Sequence, residues 1–512
     1  ENEVDARIAG NSEVRDFDSV GVRALTMSRL IGVAATGALA SGQQRGAVTG
    51  GSNHGWAGSF VLNLVDNRVR ALIGEGEASG VPRVEADESV VVRAQGVDVA
   101  PEVSAEPDRE TDADDVDWGL GAIADQGNAE AVAADGDISS SYEGFGDLGF
   151  TPDAATGEAV IGIAGNLSIT QGGQAAGIGI ASNVVTTRYT AEIRDAEIVD
   201  TRYAAQVRWK NGKPGDIDRT LAVGVHAQDR AQVIGIAAGA SIAAGKSSGG
   251  KGRPFGGAGS IVLNEIDSDV IARLDGATVT GDRLRVNAGA DGRILGFAGN
   301  VSASLSSKSL GVGGAIAVNR IVDHLGASDE DETDGVRARV RESVVDLDAE
   351  PDTDEGPPAQ IRARSDESIL SFTLSAGMAK DIAVSGAFSY NEVSRTTGAS
   401  IADVPSGEVG FRANSLEVEA LHGTPEGRGF ILSLVGNGTM GLKHAAVGGT
   451  FTYNEIDADT IADIHGAQLE ITDELAVRAR SQADIASIAV SLALSKQVRS
   501  EERRVGKECI VK

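Results

Sequence analysis

The sequence predicts an all-β fold, specifically a parallel β-helix or β-solenoid built of repeated short Gly/Ala/Val-rich strands with surface loop insertions. Three observations predict it. An Asn-centred segment recurs six times along the 512 residues. Apolar and polar residues alternate with a period of two in the segments between, as a strand with one buried face requires. The composition holds 67 Gly but only 4% aromatic residues, so Ala, Val and Ile supply most of the apolar content. A chain of this length exceeds the roughly 250–300 residues of a single packed core, whereas a repeat array has no such limit.

The first element reads Ser59-Phe-Val-Leu-Asn63, Gly179-Ile-Ala-Ser-Asn183 and Ser260-Ile-Val-Leu-Asn264. It returns as Ala315-Ile-Ala-Val-Asn319, Ala387-Phe-Ser-Tyr-Asn391 and Thr450-Phe-Thr-Tyr-Asn454. An Ala-x-Ile-like return follows, as at Ala191 and Ala462. In the fourth copy Val336-Arg-Ala338-Arg-Val340 is the better counterpart of Val270-Ile-Ala272-Arg-Leu274 than the segment at Ala327. A second element alternates strictly, as in Leu284-Arg-Val-Asn-Ala288 and Leu475-Ala-Val-Arg-Ala479. A third follows, as in Ile234-Gly-Ile-Ala-Ala238 and Ile431-Leu-Ser-Leu-Val435, and a Gly- and Ser-rich stretch leads back to the next Asn. Each unit therefore reads as about four short strands. A coil of stacked strands has turns of roughly 20–25 residues, so each unit is expected to make two or three of them. The variable spacing between asparagines is expected to reflect loops at the corners of the coil. The array spans 1–497, with acidic insertions at about 95–158 and 328–360. It opens and closes in mid-unit, as an interior piece of a longer protein would.

The net charge is −30. Residues 101–160 contribute −15 and residues 328–358 contribute −9, so two stretches hold −24 of the total. This balance disfavours a nucleic-acid partner, whose phosphates need Lys and Arg, and an anionic membrane surface. Apolar runs stay short of a membrane-spanning helix. The 5 Tyr and 3 Trp are too few for the aromatic girdles of a membrane barrel, so no membrane insertion is expected. The single cysteine, Cys509, lies in the basic tail 498–512, which matches no element and resembles a translated sequencing-adapter artefact. Disulfides and Cys-based zinc sites are thereby excluded from the body.

Candidate sites are few. A recurring Asn at one position of a stack is expected to form a side-chain ladder or cap a turn, because its amide both donates and accepts. Asn63, Asn183, Asn264, Asn319, Asn391 and Asn454 are thus structural repeat positions. Asn166-Leu-Ser, Asn300-Val-Ser and Asn437-Gly-Thr match the glycosylation acceptor pattern but share one place in the third element, so a structural Gly-Asn turn is the expectation. Asp112–Asp117 and Asp329–Asp334 are dense enough in carboxylates to consider calcium, although neither matches the twelve-residue calcium loop. No other cofactor is expected. Catalysis would need carboxylates clustered on adjacent turns, and the pairs to inspect are Asp267 with Asp269 and Asp323 with His324. Trp118, Tyr142, Phe145 and Phe150 give the first acidic insertion an adhesive character.

The Gly-Gly-Ala-x-x-x-Asn, Ala-x-Ile and Leu-x-Val-x-Ala cycle resembles the repeat region of large bacterial filamentous-haemagglutinin-like and leukotoxin-type exoproteins. The resemblance covers 1–497 and carries over no site residue. It implies a parallel β-solenoid displayed on the cell surface as the structural stalk of a secreted adhesin. The partners implied are host-cell or bacterial surface components or glycans. The chain is expected not to be an enzyme. The alternatives are a carbohydrate-active β-helix lyase or hydrolase, and a passive surface-layer or biofilm matrix protein.

Overall fold

The computed structural model describes residues 2–40, 54–74, 80–96, 158–171, 173–200, 222–244, 254–306, 308–323, 335–348, 357–405, 410–423 and 429–495. Among them are 22 strands and no helix, and every strand pairing is parallel. The acidic segments 97–157, 324–334 and 349–356, and the tail from 496, lie outside the described residues.

Two sheets result. Sheet A holds β1 (Asn2–Ala9), β4 (His54–Gly74), β7 (Gln174–Arg194), β10 (Phe255–Asp275), β13 (Leu310–Val322), β14 (Val336–Arg341), β17 (Ile382–Ala402) and β20 (Ala445–His465). Sheet B begins each unit with β2 (Glu13–Leu25), β5 (Arg83–Gln95), β8 (Glu197–Asp200), β11 (Thr278–Gly281), β15 (Val344–Leu347), β18 (Phe411–His422) and β21 (Leu469–Ser481). It continues with β3 (Ser28–Ala40), β6 (Glu158–Gln171), β9 (Ala222–Ala244), β12 (Arg283–Ser304), β16 (Ala359–Ala379), β19 (Phe430–Gly441) and β22 (Asp484–Ser495). The pairing path of sheet A closes on itself at β14. That strand pairs Val270–Asp275 of β10 while β13 pairs Phe255–Asp267, and both pair β17. The position between β10 and β17 is therefore filled by two strands end to end. Ala338 falls opposite Ala272, the alignment read from the sequence.

Two expectations are corrected. The Asn segment and its Ala-x-Ile return are one 21-residue strand in β4, β7, β10, β17 and β20. The second and third elements likewise run together in β9, β12 and β16. A unit is thus two long runs of strand that place one strand in sheet A, not four short strands making two or three turns. Gly and Ser do not break these strands, because a neighbour in register supplies backbone partners along their length. Nor do the insertions sit at corners. The segment 97–157 leaves between Gln95, opposite Gln228, and β6, opposite Ala231. The segment 324–334 leaves between β13 and β14. Both interrupt strands whose neighbours run on unbroken.

The bend from sheet A into sheet B is tight and repeats. The residue after each sheet-A strand has positive φ at Gly10, Asp195, Gly276, Glu342, Asp403 and Gly466. Three of these are not glycine, and a left-handed backbone costs such a residue about 1 kcal/mol. The conformation is held because the ladder continues through it: Asp195, Gly276, Glu342 and Asp403 each donate their N–H to the next unit, at 2.8–3.1 Å.

The cross-section is a wedge. At the bend end, Val69, Ala71 and Ile73 pack on Val84, Val90 and Val92, and their counterparts continue the cluster to Phe411 and Val418. At the other end the sheets nearly touch. A β-carbon on Gly256 or Gly311 would lie 2.7 Å from the carbonyl oxygen of Ala303 or Met378 in the facing sheet. Facing sheets ordinarily sit about 10 Å apart, so the glycines on the inner face permit this close approach. Replacing 97–157 by one residue, which with Gly96 gives the two that β9 has between Gln228 and Ala231, is expected to leave the thermal midpoint within a few degrees. Loss of cooperative unfolding in that variant, by far-UV circular dichroism, would refute the seam.

Candidate functional site

The six asparagines stand in exact register in sheet A. Asn63 donates from Nδ2 to Oδ1 of Asn183 at 2.8 Å, and Asn183, Asn264 and Asn319 repeat the bond at 2.8 Å to Asn264, Asn319 and Asn391. Asn391 closes the series on Asn454 at 2.7 Å. Space for the amides comes from sheet B. A β-carbon on Gly162, Gly235 or Gly296 would collide with the amide of Asn183, Asn264 or Asn319. In the later units Ser371 and Ser433 take the glycine's place, and the facing sheet-A residue changes to Ser389 or Thr452, which they meet at 2.8 and 2.9 Å. The hydroxyls pair with each other because a buried polar group without a partner is costly.

Asn166, Asn300 and Asn437 are strand residues of β6, β12 and β19, not turn residues, and all three are buried between the sheets. Asn437 donates to the carbonyls of Ser385 at 2.6 Å and Gly449 at 3.0 Å in sheet A. These amides tie the narrow end of the wedge together and are inaccessible to a modifying enzyme.

Asp267, Asp269 and Asp323 gather around the seam left by 324–334, and His324 lies outside the described residues. At that place β10 and β17 lack a strand between them, and side chains replace the missing backbone bonds. Asp269 accepts from the Gly335 N–H at 2.9 Å and Asp323 from the Thr396 N–H at 2.7 Å. Arg395, wholly buried, reaches across from β17 to the Ser268 carbonyl of β10 at 2.6 Å. It also donates to Asp323 at 3.0 Å and Glu367 at 2.9 Å. Asp269 further pairs with Arg188 at 3.1 Å. Asp269 and Asp323 are thus engaged in holding strands. No sequence pattern announced Arg395, since its partners Ser268, Asp323 and Glu367 come from the two units before its own.

Burial dominates the titration of this cluster. It pushes the Glu367 carboxyl up to about 8 against the pull of Arg395, and Asp229 up to about 6. Burial, with Arg395 nearby, lowers His422 to about 4. His422 meets Ser365 at 2.9 Å, and Ser365 meets Thr397 at 2.7 Å. Among the described residues, no group of three His, Cys, Asp or Glu side chains could hold a metal. Both acidic stretches considered for calcium, and the aromatic residues of the first insertion, lie outside the described residues.

The outer surface divides in two. Over the wide half, charges pair from unit to unit: Arg70 and Arg273 on Glu192 at 3.0 and 2.9 Å, and Glu265 and Glu392 on Arg320 at 3.3 and 2.9 Å. Over the narrow half the outer face is apolar. Among its exposed side chains are Ile178 and Leu263 in sheet A, and Val301 and Leu374 in sheet B. A furrow of about 620 Å³ runs over sheet B, floored by Gly299, Gly436 and Gly438 and walled by Phe297, Leu374 and Val490.

Two measurements test these assignments. Asn264→Ala leaves the Asn183 donor and the Asn319 acceptor unpaired, and is expected to cost about 2–4 kcal/mol in denaturant unfolding. A loss under about 0.5 kcal/mol would show the ladder to be incidental. Glu367 is held protonated in the folded chain up to about 8 against 4.5 for the free group. Its contribution is therefore complete at low pH and is lost as pH rises through about 8. Asp229 behaves alike at lower pH, and His422 acts in the opposite sense as pH falls from 6.5 towards about 4. Between roughly pH 6.5 and 8 Glu367 therefore acts alone of the three, and above 8 its contribution is already lost. The unfolding midpoint is expected to fall across that range in the parent and to stay flatter in Glu367→Gln. Equal slopes would contradict the assignment.

No family profile, curated protein or solved structure matches the chain.

Proposed function

We propose that the chain is a β-solenoid segment of a secreted bacterial surface adhesin, acting as structure and contact surface and not as a catalyst. In this reading each Asn-centred unit is one coil, and sheets A and B are its two faces. The observation that carries it is the unbroken register of all six asparagines, with hydrogen bonds from each unit to the next. Such stacking needs no limit on coil number and tolerates large insertions, as surface-displayed repeat arrays require.

The geometry favours surface over reach. A 21-residue strand spans about 70 Å, whereas each added unit raises the stack by only about 4.8 Å. Units of 55 to 120 residues therefore lengthen the molecule slowly. They widen two broad faces instead, and adhesion is assigned to those faces and to the acidic insertions, with cell-surface components or glycans as partners.

The enzymatic alternative would use Asp267, Asp269, Asp323 and His324. Beads coated with the purified chain should adhere to bacterial or host cells, and removing 97–157 and 324–334 should lower adhesion severalfold with the fold retained. Release of reducing ends from polyanionic or neutral glycans by the parent, abolished when those four residues are replaced together, would overturn the non-catalytic reading.

A further inference from the structure

The narrow half of the wedge has its polarity reversed. In sheet B every second residue is exposed or half-buried on the outer face across 31–39, 163–169, 236–242, 297–303, 372–378, 432–440 and 486–494. All of these are Gly, Ala, Val, Ile, Leu, Met or Phe. The residues between them face sheet A and include Asn300, Ser302, Ser304, Thr373, Ser375 and Asn437, all buried. Sheet A matches it across 56–62, 176–182, 257–263, 312–318, 384–390 and 447–453, where the outward polar side chains are Ser182 and the stacked pair Tyr390 and Tyr453.

We infer that this half of the molecule enters a lipid bilayer, with apolar side chains of both sheets against acyl chains and the polar ladders shielded between them. Several features point to lipid and not to a protein partner. A protein docks on one face, whereas here the outer faces of both sheets are apolar over the narrow half. The exposed apolar stretch is seven residues long in β6, β9, β12 and β16, where Ile161, Ile234, Leu295 and Leu370 are buried, a depth of about 23 Å at roughly 3.3 Å per residue. Apolar-out and polar-in alternation is the pattern of strands in lipid. The turns at the far tip carry Lys308, Lys380 and Lys443, which suit phosphate head groups beyond the apolar zone.

Among the described residues no helix is long and apolar enough to cross a membrane, but that criterion does not read alternate residues of a strand. The net charge of −30 is no obstacle, since most of it lies in insertions that leave the wide half. Hydrocarbon also forbids open sheet edges. The outer edges of β3, β4, β20 and β22 must therefore pair with further strands on insertion, and end-to-end association should accompany it.

The inference stands apart from the adhesin reading, because vesicles carry no cell-surface ligand. The purified full chain is floated through a density gradient with phosphatidylcholine vesicles, with and without phosphatidylglycerol. The parent is expected to float, more completely with phosphatidylglycerol. Val301→Glu with Leu374→Glu is expected to lower the floated fraction about tenfold or more, since charges on a lipid-facing strand are strongly disfavoured. Both residues are solvent-exposed in the free protein, so far-UV circular dichroism should not change. Ser400→Glu, on the wide half, is expected to float as the parent does. Lys308→Glu, Lys380→Glu and Lys443→Glu together should abolish the preference for anionic vesicles. In a variant retaining only Trp56 of the tryptophans, brominated acyl chains should quench its fluorescence. A parent that stays at the bottom of the gradient, or a glutamate variant that floats undiminished, overturns the inference. Dimerisation through this face without vesicle binding overturns it too, in favour of a second copy.

Discussion

Everything in this molecule depends on parallel strands stacking like residue on like residue. Once Asn183 pairs in register between Asn63 and Asn264, each column is set for the full length of the strand, because a slip of one residue would turn every inner side chain outward. The asparagine ladder makes that register specific. An amide shifted by one place would leave the column and lose both of its bonds to its neighbours, at about 0.5–1.5 kcal/mol for each. The correlated changes at Ser371 with Ser389 and Ser433 with Thr452 follow from the same rule: where glycine no longer clears space for the amide, the hydroxyl that arrives brings a partner.

The wedge follows from what each column stacks. Branched side chains hold the sheets apart at the bend, and glycine lets them close at the far end. Where they close only small side chains fit, so the inner face carries Ala and Gly together with Ser, Thr and Asn that bond to one another and to the opposite backbone. The apolar residues that alternate with them have nowhere to go but outward. The reversed polarity is thus a steric consequence of close sheets as much as a feature of the surface.

Insertions are absorbed in mid-sheet because backbone pairing is local. At the seam left by 324–334, Asp269, Asp323 and Arg395 supply the bonds that a strand would have made. The buried Arg395 guanidinium has Asp323, Glu367 and the Ser268 carbonyl as partners, so the cation is not left uncompensated in the low-polarity interior, which would penalise it heavily.

The sequence by itself determined the all-β class, the unit and its six asparagine positions, and the matching of Ala338 to Ala272, because a repeat writes its register directly into the chain. It also located the acidity in two insertions. Strand continuity was not legible, since Gly and Ser read as breaks until the facing backbone is known to lie close. The place of Asn166, Asn300 and Asn437 in strands, not turns, was hidden for the same reason. The Arg395 cluster was invisible because Ser268, Asp323 and Glu367 come from the two units before its own, brought together by stacking alone. Which of two alternating faces points inward was also left to the tertiary structure. Alternation states that a strand has two unlike faces, and only the distance to the opposite sheet decides which of them is the core.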